Sequence, residues 1–144
     1  MHHPNEVIKL LENSEFKFYL TGSRFFGGYT ANSDYDYFAK ATDPVRHYLS
    51  WLGFDEDTIS MDYFPADANT TAVFTSPCKK IQVQLQYDVE AKLRIQSIIK
   101  SSIPQFQFFE KYVRKSIWVA MYKAHSTVSI LSQRSSKINL GCNV

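Results

Sequence analysis

The amino-acid sequence predicts an α/β (α+β) fold: a mixed or antiparallel sheet packed with helices and closed by a long C-terminal helix. Two patterns carry this expectation. Ile81, Val83, Leu85 and Tyr87 alternate with Gln82, Gln84 and Gln86, the period of two of a half-buried strand. Phe109, Val113, Ile117, Ala120, Met121, Ala124, Val128 and Leu131 recur at steps of three or four, the stripe of a long amphipathic helix. The remaining short runs interleave strands with helices, which excludes an all-α or all-β chain.

In order, Val7, Ile8, Leu10 and Leu11 predict a helix over residues 5–13 with Asn5 as its cap. Phe16, Phe18 and Leu20 alternate as a strand that runs into Thr21-Gly22-Ser23, and residues 24–32, with Gly27-Gly28, form a loop or broken turn. Residues 34–39 form a second strand. Asp43 caps a helix with Pro44 at its first position, and Gly53 stops it. Short strands follow over 59–64 and 71–75. The turn Ser76-Pro77-Cys78-Lys79 then joins 71–75 to 81–87 as an antiparallel hairpin. Asp88 caps a helix to about Ser101 and Pro104 ends it. Residues 1–131 make one domain, and the polar residues 132–144 form a fraying tail.

Composition narrows the function classes. The chain has 144 residues, 44% hydrophobic and 21% charged, which suits one globular domain and not a disordered chain. Its net charge of +2 is too small to argue for nucleic acid by itself. Cys78 and Cys142 exclude a disulfide framework or a four-cysteine zinc site. No apolar run approaches a membrane span, and the N-terminus lacks the apolar core of a signal peptide, so a cytoplasmic protein without a membrane partner is expected.

One segment, residues 19–38, carries chemistry. Asp34 and Asp36 stand two apart on a strand and project from one face. Their mutual repulsion is relieved by a divalent cation, and Mg²⁺ takes carboxylate and phosphate oxygens together. Upstream, Gly22-Ser23 lies where a strand turns, a place for a phosphate to approach the backbone. Ser33 directly precedes the first acid. A phosphate cradle opposite a metal-binding pair is the equipment of phosphoryl or nucleotidyl transfer.

Leu20-Thr21-Gly22-Ser23 and Ser33-Asp34-Tyr35-Asp36 resemble the signature of the nucleotidyltransferase superfamily with the DNA polymerase β-like fold, in particular its small minimal members. The resemblance implies Mg²⁺ (or Mn²⁺) on catalytic Asp34 and Asp36, and a nucleoside triphosphate held by Gly22, Ser23, Arg24 and Ser33. The acceptor of the nucleotidyl group is then a protein, an RNA or a small molecule. Active members usually add a third carboxylate on a later strand. Here that strand carries Gln82, Gln84 and Gln86, which leaves Gln84 or Asp88 as candidates for the third position, with Asp62 a more distant one. A glutamine oxygen can touch a metal but takes no proton. The same residues therefore admit a second reading: a degenerate member that acts by binding a nucleotide, a nucleic acid or a host protein.

Other residues read more plainly. Lys79, Lys80, Lys92 and Arg94 could line a phosphate or nucleic-acid path, the solvated surface being the preferred reading for each, and Tyr35 and Tyr37 are expected in the core, facing away from the acids. Phe25, Phe26 and Tyr29 offer rings for packing or for stacking on a base. His47, His125 and Cys78 have no partner at catalytic or metal-ligand spacing. The stripe of the last helix either covers one sheet face or exposes Phe106, Phe109, Trp118 or Tyr122 to a protein partner or a second copy in a homodimer.

Overall fold

The alternation of Ile81, Val83 and Leu85 places three apolar side chains on one side of a strand, and all three are fully buried. In the computed structural model, which describes residues 3–57 and 69–142, this strand is central to a five-stranded sheet. The strands are β1 (Tyr19–Thr21), β2 (Tyr35–Lys40), β3 (Asp55–Asp57), β4 (Thr70–Thr75) and β5 (Ile81–Gln86), in spatial order β1-β2-β5-β4-β3. β2 and β5 run parallel, and the other neighbouring pairs are antiparallel. The sheet is thus mixed, and with its helices the chain has the expected α+β class and a long C-terminal helix.

Helices α1 (Pro4–Glu12) and α3 (Asp43–Trp51) cover the first sheet face. Val7 and Leu11 of α1 and Val45 and Leu49 of α3 pack there against Tyr37, Ala39, Ile81, Val83, Leu85 and Phe74. Tyr37 is 5% exposed and Tyr35 packs against the same cluster, so both tyrosines face away from the acids as their parity requires. The second face meets α2 (Ser23–Phe26), α4 (Val89–Ser102), a 3₁₀ turn (Phe106–Phe108) and α5 (Lys111–Cys142). Ile95, Ile99 and Phe106 form its buried cluster, with Phe26, Ile117, Trp118 and Met121 packed around them.

Several expectations shift at the element ends. His3, not Asn5, caps α1: its Nδ1 accepts from the Asn5 N–H at 3.2 Å, with Pro4 opening the helix. Thr42, not Asp43, caps α3, accepting from Val45 N–H at 3.3 Å. Only Tyr19–Thr21 of the first strand pairs, because Phe16 and Phe18 turn to pack on the Tyr48 ring at 5.5 and 6.5 Å. β3 was not foreseen; its three acids carry no apolar signal, and they place charge on a sheet edge that would otherwise invite a further strand. Helix α5 continues past Leu131 to Cys142. The strand expected over 59–64, and Asp62 with it, lie outside the described residues. No helix among the described residues is long and apolar enough to cross a membrane.

The hairpin and the α4 cap follow the sequence closely. Lys79 N–H donates to Ser76 O at 2.9 Å, and the Ser76 hydroxyl accepts from Ile81 N–H at 3.1 Å, closing the turn between β4 and β5. Asp88 accepts from Ala91 N–H at 3.0 Å and starts α4. Replacing that cap, Asp88→Ala, is expected to cost about 1 kcal/mol and to lower Tm by about 2–4 °C, read by thermal unfolding. Leu85→Ala, in the fully buried centre of the sheet, is expected to cost roughly 2–5 kcal/mol on the same measurement.

Candidate functional site

Strand alternation that sends Tyr35, Tyr37, Ile81 and Val83 to one face sends Asp36, Phe38, Gln82 and Gln84 to the other. The parallel register sets Asp36 beside Gln82 and Phe38 beside Gln84. Asp36, Gln82 and Gln84 floor a cavity of about 250 Å³ whose lining also includes Thr21, Gly22, Lys92 of α4 and Trp118 of α5. Its wall from α5 carries Lys111, Arg114, Lys115 and Trp118, spaced so that all four share one helical face. Arg114 donates to the Gln107 carbonyl at 3.4 Å and to that of Phe109, tying the 3₁₀ turn to this wall. Phe26 and Phe106, with ring centroids 4.7 Å apart, meet Trp118 edge-on at 6.2 and 6.5 Å. Among the described lining residues stand four cationic side chains, Lys92, Lys111, Arg114 and Lys115, against one carboxylate, Asp36.

Asp36 is held close by the turn that precedes α2. Gly22 has φ +67°, a backbone region that side chains disfavour, and a methyl group there would overlap the Asp36 carboxylate. The turn therefore needs glycine twice over. Burial raises the Asp36 pKa above its usual 3.8; the charge of Asp34 adds to the rise, and the ammonium of Lys92 opposes it. Asp34 itself stands outside the cavity lining, 61% exposed in its side chain, with Lys80 Nζ at 3.8 Å.

The other sequence candidates separate. Ser23 opens the four-residue α2 beside Gly22. Arg24 turns the other way: its guanidinium lies 3.7 Å from the Tyr35 ring centre and donates to the carbonyls of Thr30, Ala31 and Ser33. Ser33 accepts from Thr30 N–H at 2.9 Å in the same loop. Both organise the loop before β2 and neither lines the cavity. Asp88 caps α4 and lines a separate cavity of about 450 Å³, where Lys17 and Lys40 are matched by Asp88 and Glu90. Gln84 does line the first cavity, and its Oε1 accepts from Lys92 Nζ at 2.7 Å.

The sequence reading missed two features. Lys92, expected at the surface, is 4% exposed and lies over the Phe38 and Trp118 rings at 5.2 and 5.3 Å. The second is the cavity wall: of the two readings of Trp118 and Phe106, packing holds over exposure to a partner, Phe106 being 2% exposed. The spacing of Lys111, Arg114, Lys115 and Trp118 was the available signal for that wall.

A single Mg²⁺ or Mn²⁺ would have to draw on Asp36 in the cavity and on Asp34, which precedes β2 and stands exposed outside the lining. Among the described residues no group of three or more His, Cys, Asp or Glu is gathered for a metal. A second ion against β5 does not fit: the oxygen of Gln84 already holds an ammonium, and a further cation would lie against that charge. Compared with known proteins, the chain matches no family model, no curated protein and no solved structure.

Two outcomes follow. A carboxyl with a raised folded pKa contributes stability that is fully present below its unfolded value of 3.8 and is lost as pH rises through the folded value. Asp36→Asn is therefore expected to raise Tm near pH 7 and to leave it unchanged near pH 3. Gly22→Ala is expected to destabilise by roughly 1–3 kcal/mol through backbone strain and displacement of Asp36, measured by denaturant unfolding.

Proposed function

We propose that the protein binds a nucleoside triphosphate in this cavity, with the polyphosphate among Lys92, Lys111 and Lys115 and the base toward the aromatic wall. The observation that carries the reading is the charge of the lining: four cations to one carboxylate, with Phe26, Phe106 and Trp118 alongside. Cations converging on one concavity attract an anion, and rings beside them suit a ligand with both a polyanion and a flat base. The volume, small for a ligand site, suits a phosphate chain enclosed with the rest of the ligand at the mouth.

A second reading, Mg²⁺-dependent transfer of a nucleotidyl group to a protein, RNA or small-molecule acceptor, is favoured by Asp36 standing against Gly22 with the charge of Asp34 near enough to raise its pKa. Mg²⁺ bound there would neutralise charge on the phosphates and orient them for attack. The chain's own part would be to place Asp36 beside the phosphates and to surround them with fixed cations. Gln84 accepts no proton, so the attacking hydroxyl would have to lose its proton elsewhere.

Isothermal titration with each nucleoside triphosphate, with and without Mg²⁺, followed by mass spectrometry of the same samples, separates the readings. Binding without a mass change or pyrophosphate supports the binder; a nucleotide-sized mass gain or released pyrophosphate supports transfer. Lys111→Ala with Lys115→Ala is expected to weaken nucleotide binding about tenfold, or about 1.4 kcal/mol, with Tm little changed. Unchanged affinity in that variant would remove the α5 wall from the site.

A further inference from the structure

We propose that single-stranded RNA lies across the junction of the 3₁₀ turn and α5, its bases on Phe108 and Tyr112 and its phosphates along α5, with one end at the mouth of the cavity. Only the placing of that end rests on the nucleotide reading above. The charge of the chain is divided between two segments. Residues 1–110 carry ten Lys and Arg against fourteen Asp and Glu, whereas residues 111–144 carry six against none. The net charge of +2 conceals this division, which sets one basic helix on an otherwise acidic domain. Lys111 and Lys123 are exposed, and neither is in an ion pair among the described residues.

Two bare rings stand where this helix begins. Phe108 is 78% exposed and Tyr112 68%, and four positions of chain hold them within roughly 14 Å of each other. The tip of the Phe108 ring lies beside Gly28, and most of the side chain is open to water. Lys111, between the two in sequence, lines the cavity, as does Gln107. Tyr112 and Lys123 are separated by eleven residues, or about three helical turns, which puts them on one side of α5 about 16 Å apart along its axis. Rings interleaved with cations suit a partner that offers flat bases and phosphates together, and those bases must be unpaired to lie on a ring. Single-stranded RNA presents such bases, and the amide of Gln107, next to Phe108, can pair with a ribose 2′-hydroxyl. A membrane surface would need the apolar side of α5, but Ile117, Trp118 and Met121 are already packed on Ile95, Ile99 and Phe106. An acidic polypeptide would answer the charge and leave both rings unused.

The test titrates the whole chain into a short labelled oligouridine and follows fluorescence anisotropy. The matching DNA strand, the oligouridine–oligoadenosine duplex and polyglutamate are run beside it. The expected result is that the RNA strand binds in preference to all three, and more weakly as salt rises. Phe108→Ser with Tyr112→Ser, both at exposed positions, should weaken RNA binding at least about tenfold with Tm unchanged. The same variant should keep its ATP affinity within about twofold, because the rings placed against the nucleotide are Phe26, Phe106 and Trp118. Lys123→Gln should weaken RNA binding about threefold and reduce the salt slope by about 0.7. If the folded double variant binds RNA as the parent does, or if the duplex or polyglutamate binds as tightly as the single strand, the proposal is overturned. Equal binding of the DNA strand overturns the assignment to RNA. If ATP binds and RNA does not, this inference falls alone. If RNA binds and ATP does not, the nucleotide reading and the placing of the strand's end fall, and the surface stands.

Discussion

The parallel pairing of β2 with β5 is the constraint on which the site depends. It sets Asp36 beside Gln82 and Phe38 beside Gln84, residues separated by more than forty positions in the chain. A parallel neighbour requires a crossover, and here the chain makes it through α3, β3 and β4 before β5 returns beside β2. Immediately after β5, Asp88 starts α4, and the first turn of that helix carries Lys92 back over Phe38. A slip of one residue in this register would send the glutamines into the apolar face and Ile81, Val83 and Leu85 into the cavity.

The charge distribution gives the cavity its character more than any single residue does. Cations converge from two helices, α4 and α5, onto a sheet face with one enclosed carboxylate. That carboxylate is unfavourable by itself, as its raised pKa records, and is retained beside a glycine turn that admits no side chain. Groups that cost stability and are kept together in one concave place are a mark of a site shaped by function rather than by packing.

What could be read from the sequence was local. The alternation of residues 81–87, the Ser76–Lys79 turn and the Asp88 cap each depend on neighbours a few positions away, and each is where the pattern placed it. Parity placed Asp36 correctly on the face opposite Tyr35 and Tyr37, but Asp34 falls just before β2 and stands outside the cavity. Caps shifted by one or two residues, because each helix begins ahead of the residue expected to cap it, so His3 and Thr42, not Asn5 and Asp43, stand just outside the first turn. The edge strand β3 was invisible, since Asp55, Glu56 and Asp57 pair through backbone and have no buried side to announce them. Lys92 was misjudged because a lysine is normally solvated, and only the fold supplies Gln84, Phe38 and Trp118 around it.

The loop between α2 and β2 has a thermodynamic consequence of its own. Arg24 lies on the Tyr35 ring and holds the carbonyls of Thr30, Ala31 and Ser33, while Ser33 closes back on Thr30. Glycine-containing loops beside binding sites are often ordered only by the ligand, and the entropy lost then is subtracted from the affinity. In this protein that entropy is surrendered during folding, to an arginine within the loop itself. The strand that carries Asp36 therefore starts from a loop already held by its own side chains, and none of the cost of ordering that segment is left for a later event.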